Sequence, residues 1–313
     1  MVLVSAPGKL MLFGEHAVVY GRHCIVTAVD KRLIANLQRS TDISINSLDY
    51  KIRNHVINKI EKLPKPLKFV GSSIKYFYNR YRIKNGVSVS TGGNLSSSYG
   101  LGSSSAIIVC IVKGLAKLFR IPLPRKSLFK ICYTINKIVQ GSGSGFDVAS
   151  AIYGKTLNYV AGGKVMEKVK VKEIPLVIGY TGIKAHTPTI VKQVAEKYKT
   201  NPGYHDDIFD RIDKIALKAK EEMEDKKWKK VGTLMDKNQE LLRKLGVSSF
   251  RLEEMVNAAK DAGAYGAKLS GAGVGDCMIA IPDGSREDVE EAIRDAGGQV
   301  ISIKVNVDGV KAS

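Results

Sequence analysis

The chain lacks the features that mark several protein classes. Across its 313 residues no apolar run reaches membrane-spanning length, and no charged segment with a signal-type apolar core opens it. A cytoplasmic protein with no membrane partner is the expectation. Cysteines are few. Cys24, Cys110, Cys132 and Cys277 have neither paired metal-ligand spacing nor a secreted context, so buried free thiols are expected. The five histidines are scattered, which argues against a structural metal site. Acid is scarce relative to base, with 30 Asp and Glu against 49 Lys and Arg, a net charge of +19. Such an excess speeds capture of anions: nucleotides, phosphorylated metabolites or nucleic acid. The surplus is dispersed. Its densest run, Lys226-Lys227-Trp228-Lys229-Lys230, follows Glu221-Glu222-Met223-Glu224-Asp225 and reads as a solvated helical face, so no nucleic-acid partner is expected. Hydrophobic residues at 44% and charged residues at 25% fit a folded enzyme of one large or two ordinary domains.

The chain does contain four small-residue stretches set against apolar runs. Gly100-Leu101-Gly102-Ser103-Ser104-Ser105-Ala106 runs directly into Ile107-Ile108-Val109-Cys110-Ile111-Val112. Glycines and serines entering an apolar helix leave unpaired N–H donors at its N-terminus, which suits a phosphate. The same residues also suit a helix that the serines merely cap. Near the start, Val2-Leu3-Val4-Ser5-Ala6 predicts a strand, Pro7-Gly8 a turn and Leu10-Met11-Leu12-Phe13 a second strand, which places Lys9 on a rigid base. Glu15 and His16 follow among apolar residues, where polar side chains need a partner or a ligand. Residues 33–37 and 87–90 predict strands, 74–78 a helix, and Thr91-Gly92-Gly93-Asn94 a turn.

Leu128, Ile131, Cys132, Ile135, Ile138 and Val139 at helical spacing then deliver Gln140-Gly141-Ser142-Gly143-Ser144-Gly145-Phe146-Asp147. A small-residue loop ending in one acid holds that carboxylate close to a ligand, or else caps the next helix. Leu176 to Gly182 predicts a buried strand emerging into a loop that carries Lys184, His186 and Thr187-Pro188; these cations suit an acceptor phosphate or a solvated helix start. Helices are expected over 206–225, 228–245, 251–262 and 286–296, with a last strand over 299–305. Between them, Lys268-Leu269-Ser270-Gly271-Ala272-Gly273-Val274-Gly275-Asp276-Cys277 is a glycine loop feeding an apolar strand.

Taken together these stretches resemble the GHMP kinase superfamily. Ser5-Ala6-Pro7-Gly8-Lys9-Leu10 with Gly14-Glu15-His16-Ala17-Val18-Val19-Tyr20-Gly21 is similar to its first motif, the 100–106 stretch to its ATP phosphate loop, and Gly266 to Ile281 to its third motif. The family usually has a proline shortly before the phosphate loop, where this chain has Leu95-Ser96-Ser97-Ser98-Tyr99. The resemblance implies an α+β, two-domain GHMP kinase fold. Residues 1–165 would form a ribosomal-protein-type domain with a left-handed β-α-β unit, and residues 166–313 a ferredoxin-like domain.

The activity it implies is phosphoryl transfer from ATP with Mg²⁺ to a small molecule of isoprenoid precursor synthesis. The Asp147 loop, Thr187-Pro188, Asp276-Cys277 and Asn136, which stands where mevalonate kinases tend to carry a metal-binding glutamate, favour a phosphorylated mevalonate. Mevalonate itself and mevalonate 3-phosphate are the alternatives, and a nucleotide-binding sensor with the same fold is the non-enzyme alternative. The resemblance further implies that Asp147 and Lys9 are catalytic, Lys9 keeping Asp147 ionised. Gly100, Leu101, Gly102, Ser103, Ser104 and Ser105 would bind ATP, with Ser103 or Ser104 near the metal. Glu15, His16, Ser144, Gly145, Lys184, His186, Thr187, Ser270, Gly271, Ala272 and Gly273 would shape the acceptor site. A homodimer stays open as the assembly.

Overall fold

The computed structural model describes residues 1–47, 52–56, 63, 67–141 and 143–313; Ser142, in the expected aspartate loop, lies outside them. The first sheet begins with β1 (Val2–Phe13) and β2 (His23–Ser40), followed by β3 (Ile43–Ser47) and β4 (Ile52–Val56). The chain then forms α1 (Lys68–Tyr81) and β5 (Gly86–Gly93). Three helices, α2 (Ser103–Leu118), α3 (Arg125–Gln140) and α4 (Phe146–Tyr153), precede β6 (Thr156–Val160) and β7 (Val165–Lys168). β8 (Val177–Tyr180) opens the second sheet and is followed by α5 (Thr187–Thr200), α6 (Pro202–Glu224), α7 (Trp228–Lys244) and α8 (Phe250–Asp261). β9 (Ala264–Ser270), β10 (Cys277–Pro282), α9 (Arg286–Asp295) and β11 (Gln299–Val300) complete that layer, and β12 (Lys311–Ala312) ends the chain.

The second sheet has the order β11-β8-β10-β9, every neighbouring pair antiparallel. Numbered within the layer, that order is fourth-first-third-second, the expected ferredoxin-like plait, with four helices in its first crossover. Both faces of β10 are covered. Cys277, Ile279 and Ile281 join the core of the first sheet, while Met278 and Ala280 join the core beneath α5–α9, which is why the strand reads as a continuous apolar run.

In the first sheet β12-β1-β2-β5-β3-β4 are neighbours, with β6 and β7 attached through β2, and the β3–β5 pair is parallel. Pro7-Gly8 does not turn the chain as expected. β1 runs through both residues and absorbs them as a register shift against β2, between Pro7↔Arg32 and Gly8↔Val29. A proline without an N–H is tolerated at such an irregularity. Gly8 is needed because a Cβ there would lie 2.7 Å from Leu95 Cδ1 and 2.8 Å from the Leu101 carbonyl. The expected turn at 91–93 is also strand: Thr91, Gly92 and Gly93 pair with Ala35, Ile34 and Leu33. In place of a proline before the phosphate loop, a 3-10 turn (Ser97–Tyr99) starts at Ser96, whose hydroxyl accepts from the Ser98 N–H at 3.1 Å.

The last strand is shorter than expected. Only Gln299 and Val300 pair with β8; Val305 bridges to Val29 and β12 pairs with β1, so the tail returns to the first sheet. Asn306 fastens it. Its N–H donates to Thr27 Oγ1 at 3.0 Å, its Oδ1 accepts from Thr156 Oγ1 at 3.0 Å, and its Nδ2 donates to the Val171 and Lys172 carbonyls at 2.8 and 2.9 Å.

The two sheets meet through a charge pair sealed from solvent: Lys268 Nζ, on β9, donates to Glu15 Oε1, just after β1, and both side chains are fully buried. The lysine also donates to the Leu269 carbonyl at 2.6 Å, and Ser270 Oγ donates to the Met11 carbonyl at 2.7 Å. Burial pushes the Lys268 pKa down while Glu15 opposes that fall. Farther out, Arg22 bridges Asp206 and Asp210, and His23 binds Asp213 at 2.9 Å, all three acids on α6.

Two outcomes are expected of this scaffold. Asn306→Ala removes side-chain bonds and places alanine at a φ of 60°, and should lower unfolding stability by about 2–4 kcal/mol; an unchanged urea midpoint would show that the tail is not held this way. Lys268→Met should cost about 3–5 kcal/mol by leaving the Glu15 charge buried alone, and Glu15→Leu/Lys268→Met should recover most of that. A double variant no more stable than the single would refute the pairing.

Candidate active site

Helix α2 carries a run from Ser105 to Val112 that is wholly buried, and the helix packs against β1, β2, α1, α3 and α4. A helix so covered cannot shift, and its N-terminus is therefore a fixed point. Gly100 and Gly102 take left-handed φ values of 67° and 81° to bring the chain into it, and Gly102 is its N-cap without side-chain assistance. Ser105 and Ala106 both donate their N–H groups to the Gly102 carbonyl at 3.2 Å. The first-turn amides of Ser103 and Ser104 have no carbonyl within the helix to bond, and they carry the positive end of its dipole. An anion placed before this helix start would meet those two amides.

Lys9 crosses this loop. Its N–H donates to the Leu101 carbonyl at 2.8 Å and its Nζ to the Gly100 carbonyl at 2.9 Å. Its stem lies across Gly102, where a Cβ would come within 2.9 Å of Lys9 Cγ. Its ammonium lies 5.6 Å from the ring centre of Phe146, the residue before Asp147.

Asp147 sits in the first turn of α4, after Gly145 as N-cap at a φ of 89°. Its Oδ2 accepts from Ser105 Oγ at 2.5 Å and its Oδ1 from the Val148 N–H at 2.9 Å. The phosphate loop and the aspartate loop are therefore joined by one hydroxyl. Two tyrosines hold the aspartate loop from below: Tyr159 OH donates to the Ser144 carbonyl at 2.6 Å and Tyr133 OH to the Gly143 carbonyl at 3.0 Å. Burial raises the pKa of both phenols, so they stay protonated donors. Any side chain on Gly145 would strike the Tyr133 ring.

On the acceptor side, His16 stands at a φ of 60° with its Nε2 2.9 Å from the Ala272 carbonyl. Burial lowers its pKa; the ring is neutral with its proton on Nε2, facing an oxygen that only accepts. Gly271 and Gly273 take left-handed φ values that let this loop close against Val247. Glu15 is placed differently from expectation. It is fully buried on Lys268 and so orders the site from behind its wall. Lys184, His186 and Thr187 are exposed on the loop leading to α5, with His186 Nδ1 2.7 Å from Thr189 Oγ1.

Among the described residues no group of three or more His, Cys, Asp or Glu can hold a metal. The donor set is instead hard oxygen: the Ser103 and Ser104 hydroxyls, Asp147, and the Asn136 Oδ1, which is buried without a hydrogen-bond partner. Asn136 is 2% exposed and its Nδ2 lies 3.9 Å from where a Gly143 Cβ would stand, which places it behind the aspartate loop. Such donors fit Mg²⁺, which keeps water and phosphate oxygens in its shell. Nothing local in the sequence points to Lys268, Tyr133 or Tyr159, whose contacts are with distant segments or a loop carbonyl.

The GHMP kinases N terminal domain family matches residues 68–155, and the GHMP kinases C terminal family matches residues 219–299. A mevalonate kinase of Pyrococcus abyssi is 35% identical, covering 99% of this chain and 97% of its own. The crystal structure of the Methanococcus jannaschii mevalonate kinase superposes with a TM-score of 0.80 at 27% identity, over 96% of this chain and 97% of the other. A Streptococcus pneumoniae phosphomevalonate kinase, in complex with phosphomevalonate and AMPPNP, shares the fold with a TM-score of 0.84 at 20% identity, over 97% of this chain and 100% of the other. With both family halves matched in order and relatives aligned over nearly its whole length, the chain belongs to the GHMP kinases and is an ATP-dependent kinase.

Proposed function

We propose that the protein is a mevalonate kinase, transferring the ATP γ-phosphate to the hydroxyl of unphosphorylated mevalonate. The observation that carries the chemistry is the joining of Asp147 to the phosphate loop through Ser105, beside a lysine fixed on that loop. Phosphoryl transfer asks a protein chiefly for alignment and for neutralisation of charge, and this constellation offers both. The acceptor choice departs from the phosphorylated mevalonate expected from sequence. It is supported by the archaeal relatives, which align end to end and carry the mevalonate kinase name. The exposure of Lys184, His186 and Thr187 agrees with it, since cations spread on an open loop make a poor pocket for a second phosphate.

In this reading the amides of Ser103 and Ser104 hold nucleotide phosphate oxygens, and Lys9 Nζ turns from the Gly100 carbonyl to the transferring group. Asp147 orients the acceptor hydroxyl and takes its proton as the new P–O bond forms. Ser105 fixes the carboxylate rotamer by donating to Oδ2. His16 and residues 270–273 form the acceptor wall. The Ser103 or Ser104 hydroxyl and the Asn136 amide oxygen would hold magnesium, which would neutralise phosphate charge when bound.

Coupled assays with mevalonate, mevalonate 5-phosphate and mevalonate 3-phosphate test the acceptor. Turnover of mevalonate is expected, and turnover confined to a phosphorylated acceptor would overturn the reading. Asp147→Asn should lower kcat by about 10²–10⁴-fold with nucleotide binding retained; near wild-type turnover would remove Asp147 from the mechanism. Lys9→Met should lower kcat by about 10²–10³-fold with an unchanged circular dichroism spectrum, whereas a loss that tracks unfolding would make the lysine structural.

A further inference from the structure

Asp276 belongs to none of the roles above, yet the fold bears two costs to keep it. It holds a left-handed φ of 56°, unusual for a residue with a Cβ, and its carboxyl is buried, at 6% exposure, in a site that pushes its pKa up. Its backbone and side chain all bind the same short loop. The Asp276 N–H donates to the Ile183 carbonyl at 2.8 Å, its carbonyl accepts from the Thr181 N–H at 2.9 Å, and its Oδ1 accepts from the Ala185 N–H at 3.0 Å.

The other face of the same carboxylate lies on the phosphate loop. A Cβ on Gly100 would land on the Asp276 carboxyl group, which makes glycine obligatory there. The adjoining Cys277 thiol donates to the Tyr99 carbonyl at 3.4 Å. The charges of Lys9, on the donor side, and Lys184, on the acceptor side, both favour the ionised carboxylate. One residue thus touches the loop that holds the nucleotide phosphates and the loop that presents Lys184 and His186.

We propose that Asp276 is a positioning residue: by accepting from Ala185 N–H while resting on Gly100, it locks the 183–186 loop to the phosphate loop and holds Lys184 toward the acceptor. The proposal rests on the mevalonate reading above, in which Lys184 is a single exposed cation, too little to hold a second phosphate but able to meet the acceptor's carboxylate. Without the side-chain bond, the loop would keep only its backbone ties, and Lys184 would sample positions away from the site.

Asp276→Gly removes the carboxyl while leaving the left-handed backbone unstrained, and Asp276→Asn keeps an oxygen for Ala185 and tolerates the same φ. Hydrogen exchange of the Ala185 amide, measured with no acceptor present, should quicken about tenfold or more in Asp276→Gly and change little in Asp276→Asn. Steady-state kinetics should show a KM for the acceptor raised about tenfold in Asp276→Gly, with the KM for ATP and kcat within about threefold, and recovery in Asp276→Asn. Unchanged exchange at Ala185 in Asp276→Gly would overturn the proposal. So would equal losses for both substrates that follow a fall in Tm, or an Asp276→Asn variant as impaired as Asp276→Gly. If the wild type turns over no mevalonate yet exchange quickens as expected, the tie stands and the mevalonate reading fails.

Discussion

The arrangement depends on one ion pair that never meets water. Glu15 follows the end of β1 and Lys268 lies on β9, so the pair pins the first sheet to the second beside His16 and the 270–273 loop. Burying two charges is unfavourable unless each finds the other in good geometry, and Glu15 is the carboxylate that Lys268 meets. The pair therefore gives one registration of the two layers a large advantage over its neighbours. His16 on Ala272 and Ser270 on Met11 follow from that registration, since each is one or two residues from a member of the pair.

Helix α2 supplies the complementary constraint. Its apolar run is surrounded, and the strain of entering it is taken by glycines on the solvent side of the core. Rigidity at the helix and adaptability at the loop are what an anion site needs: the donors are preorganised, and no side chain stands before them. Ser105, the third residue of the helix, uses its hydroxyl to transmit that rigidity to Asp147. The carboxylate is consequently placed by the core of the domain as much as by its own loop.

Local patterns carried much of this into the sequence. The 100–106 stretch, the 140–147 loop and the helices of the second layer declare themselves because their signals, glycine placement and 3.6-residue spacing, lie within one segment. What stayed hidden was decided by distant contacts. Lys268 stands in a stretch that reads as a glycine loop feeding a strand, and its partner is 253 residues away. Pro7-Gly8 reads as a turn on local chemistry; pairing with β2 and the pressure of Leu95 and Leu101 on Gly8 make it a strand irregularity instead. Residues 299–305 read as one strand, but Val305 finds its partner at Val29 in the other sheet. Thr187-Pro188 and Asp276-Cys277 point in sequence toward a phosphate-bearing acceptor, whereas in the fold the Asp276 carboxylate accepts from the Ala185 N–H.

The returning tail has a bearing on how the molecule is made. β1 is flanked by β2 on one side, and on the other its first half is covered by residues 311–313. During synthesis the first sheet can collapse around α2 while that edge still presents unpaired backbone groups, a template for pairing with another chain. The second layer must then emerge before the tail can reach back to Thr27 and Leu3. The pairing of residues 311–312 with β1 thus joins segments separated by the whole second layer, and the tail acts as a late closing stitch of the first sheet.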